Sequence, residues 1–151
     1  MLRGKNIILT GAGRGIGRSI AEACAKQGAD LCLLSRTESE LQGTMERVQE
    51  FSNNSFYLVL DIANEEAVSA SMKLIIERFK KIDILINNAG IQIPIGPFLK
   101  NDILLWRSNI LVNILGTVNM TYYTLPYMVQ KKSGKIINLS GGGSTTPRSN
   151  F

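Results

Sequence analysis

A chain of 151 residues with 44% hydrophobic and 19% charged residues is long enough for one domain with a substantial core, and excludes a disordered tail or a collagen-like repeat. Seventeen Lys and Arg against twelve Asp and Glu leave a net charge of +5. The cations are scattered without an aromatic-basic stripe, which argues against nucleic acid as a partner.

Strands and helices alternate along the chain. The run KNIILT (5–10) predicts an apolar strand stopped by Gly11. Ile16, Ile20, Ala23, Cys24 and Gln27 follow helical spacing with one buried face, and Gly28 closes that helix at its C-cap. DLCLLS (30–35) predicts a second strand, after which Thr37 opens a helix carrying Leu41, Met45 and Val48. SFYLVL (55–60) predicts a third strand. A helix follows from Asn64 to about position 81, its Glu65 and Glu66 suited to the positive end of the helix dipole. IDILIN (82–87) predicts the fourth strand. An amphipathic stretch, roughly 102–131, holds one helix or two, with Pro126 as the expected kink. KIINLS (135–140) predicts the fifth strand, and a Gly/Ser-rich loop from about 140 to 151 follows it.

Strands that are near-continuous apolar runs between helices predict an α/β fold with a doubly wound parallel sheet, as one domain over 1–151. No apolar run approaches the ~20 residues needed to span a bilayer. The start reads as a strand and not as a signal peptide. Cys24 and Cys32 fall in a helix and a strand and read as small core residues, so the expected setting is cytoplasmic. Histidine is absent, which removes every His-based triad and most catalytic zinc sites. Proton transfer then falls to Tyr, Lys, Asp or Glu, and no metal site is expected.

TGAGRGIG (10–17) lies between the first strand and the first helix. Glycines there permit a tight turn and close approach of a pyrophosphate, and the helix N-terminus beyond supplies free N–H groups. A phosphate loop of the G-x-x-x-x-G-K-[ST] type is absent, which argues against an ATPase or GTPase. The spacing of Thr10, Gly11, Gly15 and Gly17 resembles the short-chain dehydrogenase/reductase superfamily. So do Asp61-Ile62 after the third strand, NNAG (87–90) after the fourth, the stretch 106–117 with its internal Asn113, and GKIINLS (134–140). The resemblance covers the whole chain and excludes the extended branch, whose glycines are spaced differently.

The resemblance implies a Rossmann fold with strand order 3-2-1-4-5 in this chain, without the last two of the family's seven strands. It implies a nicotinamide cofactor held by Thr10, Gly11, Gly13, Arg14, Gly15, Ile16 and Gly17 at the turn. Ser35 and Arg36 would follow on the second strand, then Asp61, Ile62, Asn87, Ala89 and Gly90. In dinucleotide folds an acid about 20 residues past the glycines holds the ribose 2′-hydroxyl, and an Arg there accommodates a 2′-phosphate. Here the acid position is Ser35, with Arg36 next and Arg14 inside the turn, so NADP(H) is expected over NAD(H).

The implied reaction is hydride transfer between that cofactor and a small carbonyl or alcohol substrate, in a dimer or tetramer. The implied catalytic set is an Asn, a Ser and a Tyr-x-x-x-Lys pair. Asn113 matches the Asn. Gly141 stands at the family's Ser position, so Ser140 or Ser144 serves there or the branch works without that hydroxyl; Ser140 is the residue chosen. The Tyr-Lys pair would fall near position 154, past Phe151. Tyr127 and Lys131 fit the bare spacing, but they precede the fifth strand at the wrong end of the topology. The 151 residues alone are therefore expected to be inactive. A second reading, a non-catalytic dinucleotide-binding or interaction domain, agrees on everything up to about residue 140.

Overall fold

The computed structural model describes residues 2–141. Five strands form one parallel sheet: β1 (Asn6–Thr10), β2 (Asp30–Ser35), β3 (Phe56–Val59), β4 (Ile84–Asn87) and β5 (Lys135–Asn138), in the order β3-β2-β1-β4-β5. The expected fold class and strand order hold. Between them run α1 (Gly15–Lys26), α2 (Glu38–Gln49), α3 (Glu65–Phe79), α4 (Ile103–Ile110) and α5 (Thr117–Gln130).

Alternation along the strands divides the core in two. Ile7, Leu9, Leu31 and Leu33 point to the face covered by α1, through Ala21 and Ala25, and by α2, through Leu41, Met45 and Val48. Ile8, Cys32, Leu34 and Leu85 point to the opposite face. There Val68, Met72, Ile75 and Phe79 of α3 and Met120 and Met128 of α5 cover them. Cys32 is buried, and burial pushes its thiol well above the ordinary range; Cys24 is partly buried, with a smaller rise of the same origin.

Local chemistry sets the boundaries. Gly28 takes a left-handed φ of 85° one residue past the α1 C-cap at Gln27, where its freedom is needed. Asn64 caps α3 by accepting from the Ala67 N–H at 3.0 Å. Strand ends are trimmed relative to the apolar runs. Ser55, for example, leaves the ladder and uses its hydroxyl to accept from the Leu31 N–H at 2.9 Å.

The stretch between β4 and β5 holds two α-helices in succession, with Pro126 inside α5, which continues to Gln130. The expectation did not include their junction, where residues Leu111–Gly116 adopt a π-helical turn joining α4 to α5. Such turns widen the backbone and recur at functional sites. At its centre is Asn113, whose carbonyl accepts from Thr117 Oγ1 at 3.0 Å.

Candidate functional site

All five strands run parallel, and the order reverses direction between β1 and β4. A crevice at the carboxyl ends of the strands is expected at that switch point. The structure places a cleft of about 560 Å³ there, within the usual range of small-molecule sites. The glycine turn forms its floor. Gly11 has a φ of 64°, which favours glycine. A Cβ on Gly17 would lie 2.0 Å from the Gly11 carbonyl oxygen, so only glycine lets α1 pack directly on the turn. Arg14, the α1 N-cap, makes no side-chain capping bond, and no acid lies in the first turn. The first N–H groups of α1 therefore stay available to an anion.

Gly11, Gly13, Arg14, Gly15, Ile16 and Gly17 all line this cleft. So do Ser35 and Arg36 at the end of β2, Asp61 and Ile62 after β3, and Ala89 and Gly90 after β4. Ile16 is 67% exposed although it is apolar, because it faces this opening and not the core.

Two predicted residues have other positions. Thr10 is fully buried beneath the turn, where its Oγ1 accepts from the N–H groups of Asn88 and Ala89 at 3.0 Å each. It joins the end of β1 to the loop after β4. Asn87 lines a neighbouring cleft of about 830 Å³. Its Nδ2 donates to Asn138 Oδ1 at 2.9 Å and Thr121 Oγ1 at 3.3 Å.

The two clefts share Ile16, Asn88, Ala89, Gly90 and Ile91 and so meet along the loop after β4. Asn113 and Ser140 line the second cleft, as does Gly141. Asn113 Oδ1 accepts from the Ile91 N–H at 2.8 Å, and its Nδ2 donates to the Ile91 carbonyl at 2.8 Å. One side chain thus satisfies both backbone groups of Ile91 and fixes the loop. Two buried polar atoms bordering this cleft, Asn87 Oδ1 and Trp106 Nε1, have no hydrogen-bond partner among the described residues. Ser144 lies outside the described residues. Among the described residues no group of His, Cys, Asp and Glu could hold a metal ion.

Lys131 is held at the opposite end of the sheet. Its Nζ donates to Asp83 Oδ1 at 2.6 Å and to the Ile82 carbonyl at 2.9 Å, ahead of the first residue of β4. Neither Tyr127 nor Lys131 lines either cleft.

Several lining residues escaped sequence reasoning. Asn88 donates to the carbonyls of Thr10 and Gly11 at 3.0 and 3.1 Å, locking the glycine turn to β4. Asn109 donates to the Ile93 carbonyl through its Nδ2 and accepts from Asn113 Nδ2 through its Oδ1 at 3.1 Å. Glu40 of α2 enters the first cleft beside Arg14. Asn88 carried a signal, being the second Asn of the NNAG run; Glu40 carried none, because α2 had no reason in sequence to face the turn.

The parallel sheet, its strand order and the glycine turn at the switch point define a doubly wound protein of Rossmann type. Comparison with known proteins refines this. The short chain dehydrogenase family profile matches residues 5–151, and the chain belongs to that family. An uncharacterized oxidoreductase of Staphylococcus saprophyticus is 36% identical over 140 residues, covering 92% of this chain and 59% of the relative. Crystallised NAD+-bound xylitol dehydrogenase superposes with a TM-score of 0.95 at 27% identity, over 99% of this chain and 57% of the other. A metagenomic short-chain oxidoreductase in complex with NADP gives a TM-score of 0.93 at 27% identity, over 99% and 67% respectively. The chain spans less than two thirds of the length of the first two of these proteins.

Proposed function

We propose that this chain supplies the cofactor site of a short-chain oxidoreductase that transfers hydride between NADP(H) and a small carbonyl or alcohol substrate. The observation that carries the reading is the meeting of Ser35, Arg36 and Arg14 in one cleft with the glycine turn. A Ser in place of an acid removes a charge that would repel a 2′-phosphate, and two guanidinium groups attract one. The residues fit such a cofactor: Gly11, Gly13, Gly15 and Gly17 line the cleft without side chains, and the α1 N-terminus has no side-chain cap. When bound, the nicotinamide would supply the hydride chemistry.

In this reading the glycine turn and α1 hold the pyrophosphate, while Asp61 and Ile62 flank the adenine. Asn113 keeps the loop at Gly90 and Ile91 in place, so that the second cleft stays open for the substrate beside Asn87 and Ser140. In this reading Ser140, which lines that cleft, supplies the hydroxyl that bonds a substrate oxygen. No Tyr-x-x-x-Lys pair follows β5 within residues 1–151, so in this reading these 151 residues alone carry no turnover. Two free cysteines fit a cytoplasmic setting. No described helix is long and apolar enough to cross a membrane. Association of identical chains is supported by an exposed apolar stripe on α5, formed by Val118, Tyr122, Leu125 and Val129.

The test is a binding comparison on the intact protein. NADPH is expected to bind about tenfold or more tightly than NADH, and Arg36→Asp to reverse the order. Tighter binding of NADH by the native protein would sink the cofactor assignment.

A further inference from the structure

The end of β2 lacks the acid that would receive a ribose 2′-hydroxyl, yet the cleft is not without a carboxylate at that place. Glu40, in the first turn of α2, reaches back across the glycine turn. A Cβ built on Gly13 would lie 3.1 Å from Glu40 Oε2 and 3.3 Å from Ser35 Oγ, so the carboxylate and the hydroxyl flank the same point. The same Cβ would lie 2.8 Å from Glu40 Cβ, so α2 can sit this close only because position 13 is glycine.

The placement is enforced from behind. Thr44 Oγ1 lies 3.0 Å from the carbonyl oxygens of Ala12 and Gly13 and 3.1 Å from that of Glu40. Arg18 donates to the Gly13 carbonyl at 2.6 Å and to Thr44 Oγ1 at 3.0 Å. Helix α2 and the turn are thus tied together, and Glu40 is no wandering surface acid.

The charges of the cleft are paired. Arg14 Nε stands 3.7 Å from Glu40 Oε1, and Arg36 Nη1 stands 3.9 Å from Asp61 Oδ2. The two cations that would receive a 2′-phosphate each face a resident carboxylate.

We infer that Glu40 is a specificity-determining residue: a resident anion that competes with a 2′-phosphate for Arg14 and offers a ribose 2′-hydroxyl the acceptor that Ser35 replaces. The inference rests on the reading that this cleft holds a nicotinamide dinucleotide. Arg14 is 82% exposed and leaves a solvated ion pair easily. The carboxylate stays, and a phosphate of about −2 charge arriving beside it meets like-charge repulsion. A ribose hydroxyl meets a strong acceptor instead. Glu40 therefore narrows the preference that the two arginines create, and the native protein uses both cofactors with NADP(H) ahead.

The experiment measures dissociation constants of NADPH and NADH for the intact protein and its Glu40→Gln variant, with thermal unfolding as the check on folding. Gln keeps the length of the side chain and its packing on Gly13. The variant is expected to bind NADPH about three- to tenfold more tightly at low salt, with NADH unchanged or weakened, and the gain to shrink as salt rises. An unmoved ratio overturns the inference. So does an equal change for both cofactors, which would reduce Glu40 to a prop for the glycine turn. A native protein that prefers NADH contradicts the proposed NADP(H) preference whatever Glu40→Gln does; a shift in the ratio on substitution belongs to Glu40 alone.

Discussion

Strands β1 and β5 belong to one sheet, separated only by β4, and both are apolar runs. Every residue of β1 is buried, whereas β5 has one half-buried residue, Ile136, among exposed ones. Hydrophobicity alone does not account for this. A strand at the centre of a doubly wound sheet is covered by helices on both faces and by strands on both sides; β5 is the edge strand among the described residues. The contrast extends to the helices. Leu41, Met45 and Val48 of α2 are sealed into the core, while α5 buries Met120 and Met128 and leaves Val118, Tyr122, Leu125 and Val129 outside. The region around β1 is finished; the region around β5 presents apolar surface.

Paired truncations turn that contrast into a measurement. Ile8 is fully buried in β1, against Leu85 of β4 and the α3 side of the core. Ile8→Ala should cost about 2–5 kcal/mol, through lost transfer energy and the cavity left behind. Urea unfolding of the native and variant proteins reads this directly. A cost below about 1 kcal/mol would mean that the centre of the sheet is as loosely covered as its edge.

The two regions are joined at the end of the sheet away from the clefts. Asp83 is 8% exposed; it accepts from the Asn6 N–H at 3.0 Å on the β1 side and from Lys131 at 2.6 Å on the α5 side. Burial alone would raise its pKa. The hydrogen bonds from Lys131 and Asn6, with the charges of Lys131 and Lys81, outweigh burial and hold the carboxyl below its ordinary value of 3.8. A depressed carboxylate pKa stabilises the fold above the unfolded value, and that contribution is lost as the pH falls through the lower folded value. Asp83→Asn should cost about 1–3 kcal/mol near neutral pH and flatten the acid limb of the stability curve. A variant whose acid limb matches the native one would show that Asp83 does not tie the regions together.

The sequence made the finished region the easier one to read. Apolar runs such as DLCLLS and the helical spacing of Leu41, Met45 and Val48 reflect burial on both faces, and the glycines of 10–17 are demanded by local geometry that only glycine satisfies. The residues along the cleft at the glycine turn were therefore mostly visible in sequence. What stayed hidden depends on contacts between segments distant in the chain. Glu40 reaches Arg14 across 26 positions, and Thr44 reaches Ala12 across 32. No periodicity reports which residue of a helix will face a turn on another element. The π turn at Asn113 was hidden for a related reason: its residues are apolar and helix-compatible, and only the pairing of Asn113 with Ile91 shows what the irregularity positions. Pro126 lies inside α5, as its position in the amphipathic stretch implied.

The smallest expected effect is the most informative about the exposed region around β5. Ile137 pairs with Ile86 in the β4–β5 ladder but is 40% exposed, so much of its side chain already meets water. Ile137→Ala should cost less than about 1 kcal/mol, because the lost transfer energy scales with the area withdrawn from water and an open site leaves no cavity. Read beside Ile8→Ala, the ratio of the two costs measures how far coverage falls across two strands of one sheet. A cost for Ile137→Ala approaching that of Ile8→Ala would mean that, in the intact protein, β5 is covered by something outside the described residues. The edge and the α5 stripe beside it would then be one continuous buried face.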